Sequence, residues 1–275
     1  MDLVLILKSV VMGIVEGVTE FLPISSTGHL ILAGDLLDFL DKPKRDIYEI
    51  FIQLGAMLAV VWNYRVKLVD TVVGAARPGP QRNLFIALVI AFFPAALLGL
   101  LFSSAIKHAL FAAVPVALAF IVGGVIILWA EKRTHTVQVA TVDDLTLKHA
   151  LMIGLAQCLA LIPGTSRAGA TIIGGLFLGL SRKAATEFSF FLGIPTLGAA
   201  SLYSLYKARD SLDAGDAGVF AVGFVVSFIA ALIAIRALLR FISTHTFVAF
   251  AWYRIGFGAL VLLTAYSGLV SWDNP

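Results

Sequence analysis

Long charge-free windows recur along the chain, and they set its frame. Residues 83–106, 109–130, 188–206 and 217–235 carry no charged residue, and each is long enough to cross a bilayer as a helix, which takes roughly 17 to 25 residues. Two shorter candidates, 50–64 and 255–272 with its aromatic approach 246–253, bring the expectation to about six spans. The windows 21–34 and 168–180 are too short to cross, and both follow Pro-containing breaks. Half-length pieces suit re-entrant hairpins, which survive at membrane depth only when buried in protein or lining a polar cavity. Charge, Pro and Asp collect in loops at 40–48, 76–82, 131–148 and 207–216, and the longest, EKRTHTVQVATVDDLTLK, divides the chain into halves.

The halves resemble each other. GIVEG (13–17) matches GLAQC (154–158) with Gln157 in place of Glu16, and PISSTGH (23–29) matches PGTSRAG (163–169) with Ser26 opposite Ser166. FIALVIAFFPAALLGL (85–100) pairs with FAVGFVVSFIAALIAI (220–235) in register. If each half holds one hairpin and three spans, the odd span count inverts the second half relative to the first, the plan in which broken helices aim their N-termini at a central site. The expected fold is therefore an all-α integral membrane protein, an inverted-topology repeat of about six transmembrane helices plus two re-entrant helical hairpins. Residues 1–137 form the first repeat and 138–275 the second, related by a pseudo-two-fold axis in the membrane plane.

Composition agrees with a bilayer protein: 60% of the 275 residues are hydrophobic, 13% are charged, and the mean hydropathy is +0.96. The opening MDLVLILKSV has no basic leader or small-residue cleavage site and reads as the first helix rather than a signal peptide. A single cysteine, Cys158, excludes an intrachain disulfide. The net charge of +3 comes from scattered Lys and Arg in short loops, which favours contact with anionic membrane lipids and carries no nucleic-acid signature.

Against this background the stretch GIVEGVTEFLPISSTGHLIL (13–32) stands out. Glu16 and Glu20 are four apart, so on a helix they share a face and repel. Either a cation balances them or one stays protonated. Pro23 stops that helix, and Ser25, Ser26 and Thr27 can cap a second one running through His29 to Leu37, with free N–H groups in its first turn suited to phosphate. In the second half, Arg167 lies in Pro163-Gly164-Thr165-Ser166-Arg167 between apolar runs. Unpaired at helix centre, Glu16, Glu20 and Arg167 together would cost roughly 8 to 10 kcal/mol. A structural ion pair between the halves would relieve that cost, yet would leave Ser25, Ser26, Thr27, Ser166 and Thr171 without a purpose.

Other polar positions admit plainer readings. His29 is either a catalytic group or a core histidine bonded to backbone. His108, His135, His149 and His245 fall at loops or span ends, and no HExxH or Cys/His spacing suggests zinc. Gln53 reads as a helix-to-helix hydrogen bond, Arg236 and Arg240 as snorkelling residues, and Gly175 with Gly179 as helix packing. Arg254, after Trp252 and Tyr253, is either an interface anchor or a second anion contact.

EGVTEFLPISSTGH and PGTSRAGAT together resemble the two signature motifs of the bacterial undecaprenyl-diphosphate phosphatases, the bacitracin-resistance family, and the resemblance runs over essentially the whole chain. It implies hydrolysis of undecaprenyl diphosphate to undecaprenyl phosphate and inorganic phosphate, recycling the carrier lipid of cell-wall synthesis. It also implies a divalent metal, Mg2+ or Ca2+, and an active site opening to the periplasmic face of the bacterial inner membrane. On this resemblance Ser26, Glu20, Arg167 and His29 are the catalytic candidates and Glu16 and Glu20 the metal ligands. Ser25, Thr27, Thr165, Ser166 and Thr171 are the substrate contacts. Ala168 stands where many members have serine, which removes only an auxiliary hydroxyl.

Chemically, Ser26 would attack the terminal phosphoryl group, activated by Glu20 or His29, while Arg167, helix N-termini and a metal hold the developing charge. The polyprenyl tail would lie against the lipid-facing spans. A secondary transporter or flippase for an anionic lipid is the rival from another class, since inverted repeats and buried glutamates are its parts too. The SR…H…D motif of type-2 phosphatidate phosphatases is absent. A homodimer is left open.

Overall fold

The structure is a computed structural model that describes residues 2–133, 136–208 and 214–272. His135 lies outside the described residues, His108 is described by its backbone alone, and the expected loop at 207–216 falls largely outside them. Among the described residues the fold is all-helical apart from one isolated bridge, Val139 to Leu180, which lays the extended segment after the inter-half loop against a turn.

Eleven α-helices follow in order: α1 (Leu3–Thr19), α2 (Ser26–Leu36), α3 (Lys42–Asn63), α4 (Arg65–Gly74), α5 (Pro80–Leu110), α6 (Ala113–Lys132), α7 (Leu147–Gln157), α8 (Arg167–Phe177), α9 (Arg182–Ala208), α10 (Ala217–Ile242) and α11 (Val248–Tyr266). Five of them, α5, α6, α9, α10 and α11, are long and apolar enough to span, and α3 joins them as a sixth if its bent continuation into α4, at 78°, is counted with it. Each of the six expected spans holds one of these helices, although α11 ends at Tyr266, short of the expected 272, and α6 begins only at Ala113. The two short windows became α2 and α8, each 11 residues, which is about 16 Å and half a bilayer.

Contacts between loops sort the helix ends into two sets. Lys44 pairs with Asp216, Lys8 donates to Asp38 O, and the Ser271 N–H donates to Asp35, so the outer ends of α1 and α2 share one end of the bundle with the start of α3 and of α10. At the opposite end Lys67 pairs with Asp143, Arg182 with Glu131, and the Phe247 N–H donates to Glu131. The α1–α2 hairpin thus enters from one end and the α7–α8 hairpin from the other.

Small residues let the hairpins sink into the bundle. A Cβ on Gly17 would lie 2.4 Å from Ser227 O of α10, and one on Gly154 would lie 2.5 Å from Ala91 O of α5, so α1 and α7 each touch a long helix backbone to backbone. Outward faces carry the leucines instead, such as Leu100, Ile233 and Leu263, as lipid contact requires. Gly175 packs as expected, its Cβ position 2.9 Å from Ala185. Gly179 does not: it sits at φ +82 in the turn after α8, a conformation that only glycine adopts without strain.

Candidate functional site at the meeting of two helix starts

The N-termini of α2 and α8 meet near the middle of the bundle. Each helix starts after a serine at positive φ, Ser25 at 67° and Ser166 at 72°, uncommon for a residue with a Cβ and a sign of a constrained turn. The backbone register therefore sets Ser25 opposite Ser166 and Ser26 opposite Arg167, one residue away from the register read from the sequence. The turns are equally long, with nine positions from Glu16 to Ser25 and from Gln157 to Ser166; what differs is the proline, since Pro163 stands one residue early and Gly164, at φ +88, takes the place that Pro23 holds.

Arg254 holds the two turns together. It is fully buried, and its guanidinium donates to Pro23 O (3.0 Å) in the first turn, Gly164 O (2.9 Å) in the second, and Ala119 O (2.8 Å) and Phe120 O (3.3 Å) of α6. It is neither an interface anchor nor an anion contact. Four backbone carbonyls take four of its five N–H donors, and Gly123 makes the space, since a Cβ there would stand 2.3 Å from the guanidinium.

Above this clamp the reactive groups assemble. The Ser26 hydroxyl donates to Glu20 Oε2 at 2.6 Å, and the other carboxylate oxygen of Glu20 receives Arg167 Nη2 at 3.2 Å. Both partners of that ion pair are nearly buried, 6% and 9% side-chain exposure, so it ties hairpin to hairpin in a low-dielectric setting. Arg167 is steadied by Ser189, whose carbonyl oxygen accepts from Nη1 at 2.8 Å, and by the face of Phe21 at 5.5 Å. Gly193 leaves room for the guanidinium, a Cβ there falling 2.9 Å from it.

Glu16, one turn before Glu20, is fully buried, and neither carboxylate oxygen has a hydrogen-bond partner among the described residues. His29 does not reach Ser26. Its Nδ1 lies 2.6 Å from Ser25 O, which can only accept, so Nδ1 carries the proton; Nε2 then accepts from Tyr253 Oη, also at 2.6 Å. Both nitrogens are spent, and the ring is stacked on Phe257 at 4.0 Å. Of the two activators considered for Ser26, only Glu20 is in place.

A cavity of about 700 Å³ opens from this point. Glu20, Ser25, Ser26, Thr27, Ser166 and Arg167 line one end, and Phe92, Ala96 and Leu100 of α5 with Ala160, Leu161 and Ile162 form an apolar wall. Thr165 and Thr171 are not on its lining. Thr171 instead donates to Arg167 O (2.9 Å) and can accept from the Ser189 hydroxyl (2.7 Å), bracing Arg167 from behind. Ser166 both lines the cavity and caps α8, accepting the Gly169 N–H at 3.0 Å. Sequence reasoning missed Ser189, Thr196 and Tyr253, single hydroxyls set among aromatic and aliphatic residues, where no spacing marks them. Gln53, read as a helix-to-helix bond, does accept from Ser201 of α9 at 3.3 Å, and it also lines the cavity.

A buried hydroxyl on a carboxylate, an arginine beside it and two helix starts aimed at one cavity define a multi-pass membrane protein with a site suited to phosphoryl groups. Residues 9–260 match the family described as bacitracin resistance protein BacA, and the chain belongs to that family. Among its relatives are undecaprenyl-diphosphatase 1 of Chromobacterium violaceum, 74% identical over 98% of this chain and all of that one, and undecaprenyl-diphosphatase 2 of Rhodospirillum rubrum, 66% identical over 99% of this chain and all of that one. The undecaprenyl-diphosphatase of Cellvibrio japonicus is 60% identical over 99% of this chain and its own full length.

Proposed function

We infer that this chain is a membrane hydrolase that converts undecaprenyl diphosphate to undecaprenyl phosphate and inorganic phosphate, recycling the carrier lipid of cell-wall synthesis and so conferring bacitracin resistance. The full-length relatives bear that enzyme's name. The observation that carries the reading into this chain is the Ser26–Glu20–Arg167 cluster at the polar end of a cavity with an apolar wall. A diphosphate fits the first, a prenyl chain the second.

Ser26 Oγ attacks the terminal phosphorus while Glu20 Oε2 accepts its proton over 2.6 Å. Once neutral, Glu20 loosens its hold on Arg167, and the guanidinium fork turns its charge to the phosphoryl oxygens as they gain charge. The first-turn N–H groups of α2 and α8 add positive dipole ends. The bond to the bridging oxygen breaks, prenyl phosphate leaves, and water then hydrolyses the phosphoserine with Glu20 returning the proton to Ser26.

A divalent cation belongs to this reading. Among the described residues no group of three or more His, Cys, Asp or Glu could hold one, but Mg2+ is commonly bound by one or two carboxylates together with substrate phosphates. Glu16, whose oxygens have no partner among the described residues, and Glu20, one turn on, are the carboxylates that would hold it, although only Glu20 lies on the cavity lining. When bound, the ion would neutralise charge on the diphosphate.

The repeat and the orientation are part of the same proposal. Residues 1–137 and 138–275 are taken as inverted halves, supported by the entry of α1–α2 and α7–α8 from opposite ends. Arg65, Lys67, Arg77, Arg82, Lys132, Arg133, Lys148, Arg182, Lys183, Arg236 and Arg240 lie at the α4 end of the bundle. By the positive-inside rule that end is cytoplasmic. The cavity, which reaches Tyr203 and Lys207 at the other end of α9, then opens to the periplasmic side of the bacterial inner membrane.

Release of inorganic phosphate from a prenyl diphosphate by the purified protein tests the activity, and a protein that binds the lipid without turnover refutes it. The opposed hairpins favour one second reading, a flippase or transporter of the anionic lipid. Movement of a labelled prenyl phosphate across vesicles containing the protein, with Ser26 replaced by Ala, would reveal it.

A further inference from the structure

Gln157 ends α7 and holds, in the second half, the place that Glu16 holds in the first. It is 1% exposed and lines the cavity. Its Oε1 receives the Thr196 hydroxyl at 3.3 Å, while its Nε2 has no acceptor among the described residues. A buried donor left without a partner is rare in folded proteins and calls for an explanation. A ligand acceptor in the cavity supplies one.

The position of Gln157 selects which acceptor. The next residues, Cys158–Leu161, form a 3-10 turn whose Ala160 and Leu161 belong to the apolar wall, while Ser26 and Arg167 stand at the polar end. Gln157 adjoins the wall that would carry the prenyl chain. We propose that the Gln157 amide donates to the lipid-proximal phosphate, the one that stays on the prenyl chain when the terminal phosphoryl group moves to Ser26. In that step the Ser26 Oγ–phosphorus bond forms, the bond from phosphorus to the bridging oxygen breaks, and the electron pair stays on the departing prenyl phosphate. Gln157 faces that added charge, whereas Arg167 faces the transferred group. This division rests on the phosphatase reading.

Equilibrium binding of farnesyl phosphate and of inorganic phosphate, each measured without turnover, separates the two roles. Gln157→Leu is expected to weaken farnesyl phosphate about tenfold or more, the scale of one hydrogen bond to a charged group, and to leave inorganic phosphate within about twofold. Arg167→Ala should show the reverse pattern. Equal weakening of both ligands in Gln157→Leu, or of neither, overturns the proposal. Gln157→Glu keeps the shape, removes the donor and adds charge, so it should bind farnesyl phosphate more weakly still. Unchanged or tighter binding in the Glu variant would mean that an acceptor faces the cavity, and would overturn the proposal even if the Leu variant failed to fold. The activity reading fails separately, by absence of phosphate release from farnesyl diphosphate in the unaltered protein.

Discussion

The two hairpins share a backbone and differ in charge. Each enters the bundle from its own end, breaks at a proline-bearing turn, places a serine at positive φ and starts an 11-residue helix. Yet the first offers Glu16, Glu20 and Ser26, and the second Gln157 and Arg167. The groups at the first helical position, a hydroxyl from α2 and a guanidinium from α8, meet on the two oxygens of Glu20. Two hairpins of like backbone thus make an asymmetric site: on the proposed function the first would handle the nucleophile, its proton and a cation, and the second the anion.

The most damaging way to break this division is to remove the nucleophile. Ser26→Ala should abolish hydrolysis and leave the diphosphate lipid bound, because binding rests on Arg167 and the helix N-termini. If water attacks and Ser26 only donates a hydrogen bond, the loss should stay near that of one donor, about a hundred- to a thousandfold. A quenched reaction with labelled substrate, searched for phosphoserine at position 26, separates the two cases. Substantial turnover in the Ala variant would end the assignment and leave Glu20 as the base for a water.

Arg167 is the matching test on the other side. Arg167→Lys should be nearly as damaging as Arg167→Ala, about a hundred- to a thousandfold in turnover, because an ammonium cannot span Glu20, Ser189 and a phosphoryl oxygen as a planar fork does. Near-normal turnover of the Lys variant would reduce the second half's contribution to a point charge.

Much of this was legible beforehand. Charge-free windows located every span, and the two short windows located α2 and α8, because burial in lipid writes itself into hydropathy. The chemistry showed as acids, hydroxyls and an arginine where lipid-facing sequence has no use for them. What stayed hidden depends on backbone geometry. The second turn carries its proline one residue earlier than the first without changing the apolar pattern, so aligning the prolines put the caps one residue out of register. Arg254, beside Trp252 and Tyr253, carries the composition of an interface anchor, and the four carbonyls that bind it belong to three distant segments. His29 has a catalytic residue's neighbours in sequence, but Tyr253, which occupies its Nε2, is 224 positions away.

A milder change probes the cation side. Glu16→Gln removes a buried carboxyl group whose oxygens have no hydrogen-bond partner among the described residues, so the half-maximal Mg2+ concentration for activity should rise, with a smaller fall in turnover than Ser26→Ala produces. A metal midpoint that does not move in either Glu16→Gln or Glu20→Gln would detach the carboxylate pair from the metal.

The smallest effect separates the two cap serines. Ser166 accepts the Gly169 N–H at 3.0 Å, whereas Ser25, in the same backbone conformation, makes no side-chain cap bond and lines the cavity. Ser166→Ala should therefore lower stability by about 1 kcal/mol, the usual worth of a cap, and Ser166→Gly by less, because glycine also relieves the positive φ. Ser25→Ala should leave the thermal midpoint almost unchanged and act on turnover instead. That loss should be milder than for Ser26, since it is the Ser26 hydroxyl that donates to Glu20. Thermal unfolding in detergent and phosphate release on the same three variants give the comparison. If Ser25→Ala destabilises as much as Ser166→Ala without changing turnover, the two turns differ less than their hydrogen bonds say, and Ser25 is a cap like its counterpart.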